Sequence, residues 1–134
     1  MRDDKAELIV VDAANVVGSR PDGWWRDRAG AARRLLLAVS TLRDRLDYPV
    51  DVVVVLEGAA KAADPEGIGM DGVRVVLAAG SGDDAIADTV TAAAAQDGDR
   101  TITVVTADRG LRNRVEAAGA GTVGPRWLLD RIES

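Results

Sequence analysis

The stretch Glu7–Asn15, ELIVVDAAN, decides how this chain folds. Leu8 to Val11 is an unbroken apolar run, and a run of that length fits a strand buried on both faces, as in a parallel sheet. Asp12 then stands at the strand's carboxyl end, with the amide of Asn15 three residues on. Open α/β sheets bind ligands at that end. Aspartates also close strands merely to start a turn, so the weight given to Asp12 depends on how the later strands end.

Three further apolar runs follow. Val50 to Leu56 reads as a second strand, closed by Glu57; Val73 to Ala78 as a third; Thr101 to Thr106 as a fourth. Between them the spacing predicts a loop over Val16–Gly23, including Pro21, and a helix from about Arg26 to Leu46. In that helix Leu35, Val39, Leu42 and Leu46 face the sheet. Ala59–Gly69, with Pro65, Gly67 and Gly69, reads as a loop with one helical turn. Gly80-Ser81-Gly82 is a turn before a helix over Asp83–Gln96. A helix over Asp108–Ala118 closes at Gly119. Gly121–Val123 is a short fifth strand, and Pro125 opens a last helix to about Ile132. The order β-α-β-(α)-β-α-β-α-β-α predicts an α/β fold, with one doubly wound, mostly parallel sheet and helices on both faces. All 134 residues fit one domain of ordinary size.

Composition narrows the chemistry. Hydrophobic residues make up 47% but aromatics only 3%, so the core is built from Val, Leu, Ile and Ala. The chain has no Cys and no His. Disulfides, thiolate metal sites, Cys nucleophiles and His bases are excluded, leaving carboxylates, hydroxyls, amides and Arg/Lys. A hard, oxygen-ligated ion such as Mg2+ or Mn2+ is the natural helper for that set. The opening MRDDKAE is acidic where a signal peptide is basic, and no apolar run approaches membrane-spanning length. The expectation is a soluble cytoplasmic protein without a membrane partner. The net charge of −5 does not advertise nucleic acid, but it is unevenly spread. Arg20–Arg45 holds seven Arg against three Asp; Glu57–Asp99 holds nine acids against Lys61 and Arg74. Ordinary solvated helix faces explain that pattern about as well as a phosphate chain bridged to a metal site.

The acids stand at matching places. Asp12 ends the first strand, Asp83, Asp84 and Asp88 open the helix after the third, and Asp108 follows the fourth in TADR. Parallel strands put their carboxyl ends on one rim, where these groups can converge. Asp84 and Asp88 are four apart on a helix and share a face. Helix capping alone accounts for Asp83 or Asp84, and for Ser81. Surface solvation accounts for Asp88.

The segments VVDAANVVG (10–18), SGDDAIAD (81–88) and VVTADRGLR (104–112) together resemble the NYN domains of the PIN-like nuclease superfamily, over essentially the whole chain. WWRDRAG and GPRWLLDRI look like an actinobacterial branch of it. The resemblance implies a three-layer α/β/α fold with strand order 3-2-1-4-5. It also implies a metal-dependent endoribonuclease holding Mg2+ or Mn2+. Carried over residue by residue, the catalytic and metal-binding acids fall on Asp12, Asp84, Asp88 and Asp108, with Asn15 as polar companion of the first. The chain departs from the pattern at Ala87, where a glutamate often stands, which leaves the middle ligand open among Asp83, Asp84 and Asp88.

Around these acids Asn15 or Thr106 would orient a carboxylate or water. Arg109 would bind phosphate or merely neutralise Asp108. Ser81 would touch phosphate or cap its helix. Trp24 would stack a base or pack over the helix. Single-stranded RNA is the expected substrate, because the acidic middle repels a duplex and the Arg-rich stretch with Trp24 and Trp25 grips one strand. A homodimer is left open. Two rivals share the scaffold: a metal-dependent nucleoside-triphosphate pyrophosphohydrolase, and a non-catalytic RNA- or protein-binding module. No Walker-type phosphate loop is present, which argues against ordinary ATP handling. A receiver domain would need a paired acid at the first strand and a late lysine; no lysine lies beyond Lys61.

Overall fold

A computed structural model describes residues 6–20, 23–69 and 72–133. Pro21 and the first five residues, on which part of the reading above falls, lie outside the described residues. Five strands form one sheet in the order β3-β2-β1-β4-β5: β1 (Glu7–Asp12), β2 (Val50–Leu56), β3 (Val73–Leu77), β4 (Ile102–Val105) and β5 (Gly121–Val123). Every pairing is parallel. This is the doubly wound α/β fold, with the order that the NYN resemblance implies.

The unbroken apolar run of β1 is explained by what lies above and below it. Leu8 and Val10 pack into one core with Val53, Val55, Ile86, Val90, Val104 and Leu111. Ile9 and Val11 pack into the other with Val52, Val54, Leu35, Val39 and Leu128. All four β1 side chains are buried, so neither face of the strand tolerates a polar residue. The first core lies under α4 (Gly82–Gln96) and α5 (Arg109–Ala117). The second lies under α1 (Ala13–Gly18), α2 (Arg28–Val39), α3 (Leu42–Arg45) and α6 (Pro125–Ile132).

Two local expectations are corrected. Residues 16–18 are the end of a short helix rather than loop. Asp12 starts that helix directly, its side chain accepting from Asn15 N–H, and Ala13 and Ala14 are strong helix formers. The predicted long helix is broken into a 3-10 turn at Trp24–Arg26 followed by α2 and α3. Asp27 caps α2 through Gly30 N–H. At the other end the Ser40 and Thr41 hydroxyls donate back to the carbonyls of Leu37 and Ala38 at 2.6 and 2.7 Å, competing with continuation of the helix. The stripe survives the break: Leu35, Val39 and Leu42 are buried, and Leu46 packs at the edge of the same core.

Beside β3 the chain doubles back. Ala78 N–H donates to Leu56 O at 2.9 Å, so Val73 and Val75, an odd number of residues earlier, turn their carbonyls to the free side of β3. Gly69 lies against that side: a Cβ built on it would stand 2.2 Å from Val73 O, and its φ is +75°. Gly67 approaches Val75 O and the Leu77 side chain in the same way.

Candidate active site

Asp12 is the last residue of the central strand and is only 5% exposed. Its two oxygens are held separately. Oδ1 accepts Asn15 N–H at 3.3 Å, and Oδ2 accepts the Thr106 hydroxyl at 2.9 Å. Thr106 follows β4 and is fully buried. Its Oγ1 also accepts Asp108 N–H at 3.1 Å, while the Asn15 side-chain oxygen accepts Ala107 N–H at 2.8 Å. The D-x-x-N after β1 and the T-x-D-R after β4 are thus clasped together by side chains of their own. Since β1 and β4 are neighbours, the clasp needs no long reach. Asp108 in turn caps α5, accepting Leu111 N–H at 2.9 Å, and is otherwise exposed.

The other acids sort differently from the sequence expectation. Burial is the main cause that pushes the Asp12 carboxyl above its ordinary value; the Thr106 and Asn15 hydrogen bonds pull it down, and the charges of Asp83 and Glu57 push it up. Asp83 is likewise raised, by burial first and then by the charges of Asp108 and Glu57. Asp12, Glu57, Asp83 and Asp108, one acid from each of four connections on one rim, are thus linked by charge, with Asp84 a smaller contributor at Asp83. Glu57 follows β2, which pairs with β1 as directly as β4 does. Its carboxylate sits at the start of α4, where a Cβ on Gly82 would stand 2.3 Å from Glu57 Oε1.

Asp84 and Asp88 are not brought to Asp12. Asp84 is exposed and pairs with Arg114 of α5 at 3.0 Å. Asp88 falls about 140° round the helix from Asp83, five residues at about 100° each, and lines a groove with Thr89 and Val76 on the opposite flank of α4. Ser81 caps α4, its hydroxyl accepting Asp84 N–H at 3.1 Å. Arg109 is exposed in the first turn of α5, and among the described residues it has no ion pair with Asp108. Trp24 is half-buried beside α1: a Cβ on Gly18 would lie 3.6 Å from its ring, and Trp25 meets it edge-on at 6.1 Å between centroids.

Glu57 stands outside the acids that the sequence singles out, although it follows the strand paired directly with β1. The adjacency of β2 in the order 3-2-1-4-5 was the available signal. Asp83 was one of three neighbouring acids, and only the phase of α4 selects it.

The donor set is hard, anionic and all oxygen, which suits Mg2+ or Mn2+. A buried carboxylate repelled by its neighbours, as Asp12 is, is also what a cation would relieve. As placed, no three acids among the described residues are arranged to hold an ion.

Solved structures of Rae1 (YacP) from Bacillus subtilis share the fold. A single-substitution variant matches with a TM-score of 0.75 and 19% identity, over 95% of this chain and 75% of that one. The unsubstituted protein matches at 0.74 and 18%, over 95% and 74%. Both come from Bacillus subtilis, so an actinobacterial affinity gains nothing from them. No family model and no curated protein matches the chain. Among the described residues no helix is long and apolar enough to cross a membrane.

Proposed function

We propose that the protein is a metal-dependent nuclease that hydrolyses single-stranded RNA at the rim formed by Asp12, Asp83, Asp108 and Glu57. The observation that carries this reading is the buried Asp12 carboxylate, held on both oxygens and pushed up in pKa by burial and by the like charges of Asp83 and Glu57. An isolated buried carboxylate is costly, and a bound cation is what repays it here. Asp12, Asp83 and Asp108, with Glu57 at their border, are the residues that would have to close on a Mg2+ or Mn2+ ion, since as placed they do not yet form a site for one. Such an ion, when bound, lowers the pKa of its water and neutralises the non-bridging oxygens of a phosphodiester.

The chain's own residues do the rest. Thr106 and Asn15 fix the Asp12 carboxylate in one orientation, so it reorganises little when charge develops nearby. Asp83, half-exposed at the rim, is placed to orient the attacking water in a chain without histidine. Arg109, exposed beside Asp108, is free to meet a phosphate. Single strands are favoured because the acid rim repels a second phosphate backbone.

The test offers single-stranded RNA, duplex RNA and nucleoside triphosphates side by side, each with Mn2+ and with chelator. Cleavage of single strands only, dependent on Mn2+ and lost in Asp108→Asn, is expected. Asn caps a helix as well as Asp does, so that variant should keep its fold. Release of pyrophosphate with RNA untouched would replace the nuclease by a pyrophosphohydrolase.

A further inference from the structure

Trp24 stands between two hollows, and the smaller of them reaches the acid rim at Glu57. Between α1 and α6 runs an open groove of about 810 Å3 that includes Asn15, Ala107 and Arg126. Between α1, α2 and the 3-10 turn Gly58–Ala63 lies a more enclosed cavity of about 190 Å3 that includes Glu57. The Trp24 ring is a wall of each. The smaller cavity is otherwise lined mainly by small aliphatic residues, and its two charged members are Arg28 and Glu57.

We propose that the smaller cavity receives one unpaired base of the RNA strand, stacked on Trp24, and so delivers that nucleotide's phosphate to the rim acids. This rests on the nuclease reading above and adds the element that selects a single strand. A cavity of about 150 Å3 holds one benzene-sized ring. A space of about 190 Å3 is thus on the scale of one base and too small for a base pair. An aliphatic lining with one indole wall suits any flat π-face and discriminates little between bases. The Arg28 guanidinium lies 5.3 Å from the centre of the same indole, placed for a phosphate or a base carbonyl. Arg26 sits 5.9 Å from the Trp25 ring, so each ring of the aromatic pair has a guanidinium beside it. That charge complements a phosphate chain. Glu57 belongs to both the cavity and the acid set, so a base in the one puts its own sugar-phosphate beside the other.

Binding is measured apart from cleavage, by anisotropy of a short fluorescein-labelled RNA titrated with Asp108→Asn protein in chelator. Four probes are compared: the single strand, the same strand annealed to its complement, an abasic ribose-phosphate strand, and a free mononucleotide. Trp24→Ala is expected to weaken the single strand by about 5- to 150-fold, the range for one lost base–aromatic stack, and Trp24→Phe to recover most of it. Ala60→Leu fills the cavity from the 3-10 turn while leaving every acid and the indole in the sequence. It should weaken binding similarly while melting like the parent, which keeps the test sound if Trp24→Ala folds poorly. The abasic strand and the duplex should bind weakly and ignore both changes. Unchanged single-strand affinity in Trp24→Ala and Ala60→Leu would overturn the proposal, even if the wild type cleaves RNA. Losses of equal size on the abasic strand would overturn it too. Base-dependent binding through Trp24 in a protein that cleaves nothing would uphold the cavity and remove the nuclease. Capture of the mononucleotide alone would overturn the strand-binding claim.

Discussion

Every polar atom of Thr106 is engaged. Its N–H donates to Val123 O at 2.9 Å, its carbonyl accepts from Arg112 Nε at 2.8 Å, and its hydroxyl links Asp12 to Asp108 N–H. Thr106→Val keeps the shape and removes only the last link, leaving a buried carboxylate one donor short. We expect a loss of about 1–3 kcal/mol in urea unfolding and a larger proportional loss of activity, with Thr106→Ser close to wild type. Asp12 gives a pH test with a fixed sign. Its folded pKa is raised above the ordinary 3.8, so the folded state holds this proton more tightly than the unfolded chain does. Stability from this group is therefore present at low pH and lost as pH rises from 3.8 to the raised value. Asp12→Asn does not titrate. In chelator, the melting temperature of the variant minus that of the wild type should climb through that window and then level off. A flat or falling difference would show that the carboxylate is not strained. Asp12, Asn15, Thr106 and Asp108 were all legible in the sequence as a group, because strand ends are sharply marked by where apolar runs stop. Their hydrogen bonds were not, since register and rotamer decide which oxygen meets which donor.

The start of α4 shows how an element can carry a site at its own expense. Gly82 is the first residue of the helix, where alanine would be favoured by up to about 1 kcal/mol. A methyl group there would meet Glu57 Oε1 at 2.3 Å, and since that atom ends a flexible side chain, Glu57 would swing away rather than the helix break. Gly82→Ala is expected to keep or slightly raise the melting temperature while weakening Mn2+ binding and catalysis. Loss of both together, seen by thermal melts beside isothermal titration, would sink this account. Phase also sorts the acids of this helix. Three acids within six residues look interchangeable on paper, but Ile86 and Val90 must face the core, and that fixes Asp83 toward the rim and Asp88 away from it. The α2–α3 break was hidden for a different reason. The apolar stripe runs through it without interruption, and only the back-bonding of Ser40 and Thr41 reveals it.

At the scale of the whole molecule the acid rim should make stability depend on cations. A divalent ion that binds only the folded state raises the melting temperature by linkage, so millimolar Mn2+ should do so for the wild type and much less for Asp12→Asn. No shift in the wild type would remove the metal from the proposal. The sheet's ends matter at this scale as well. β5 has only three residues, and β3 is shadowed on its free side by Gly67 and Gly69. Gly69→Ala would force a side chain onto φ +75° and against the Val73 carbonyl, at a cost of about 1–3 kcal/mol. The expected result is a lower melting temperature with light scattering on heating. The wider consequence concerns how copies of this protein can meet. With one border only three residues long and the other approached by Gly67 and Gly69, the described residues leave little of either edge for a neighbour to add a strand to. If the chain pairs with itself, these edges favour a join through side chains over a continuous ten-stranded sheet across two copies.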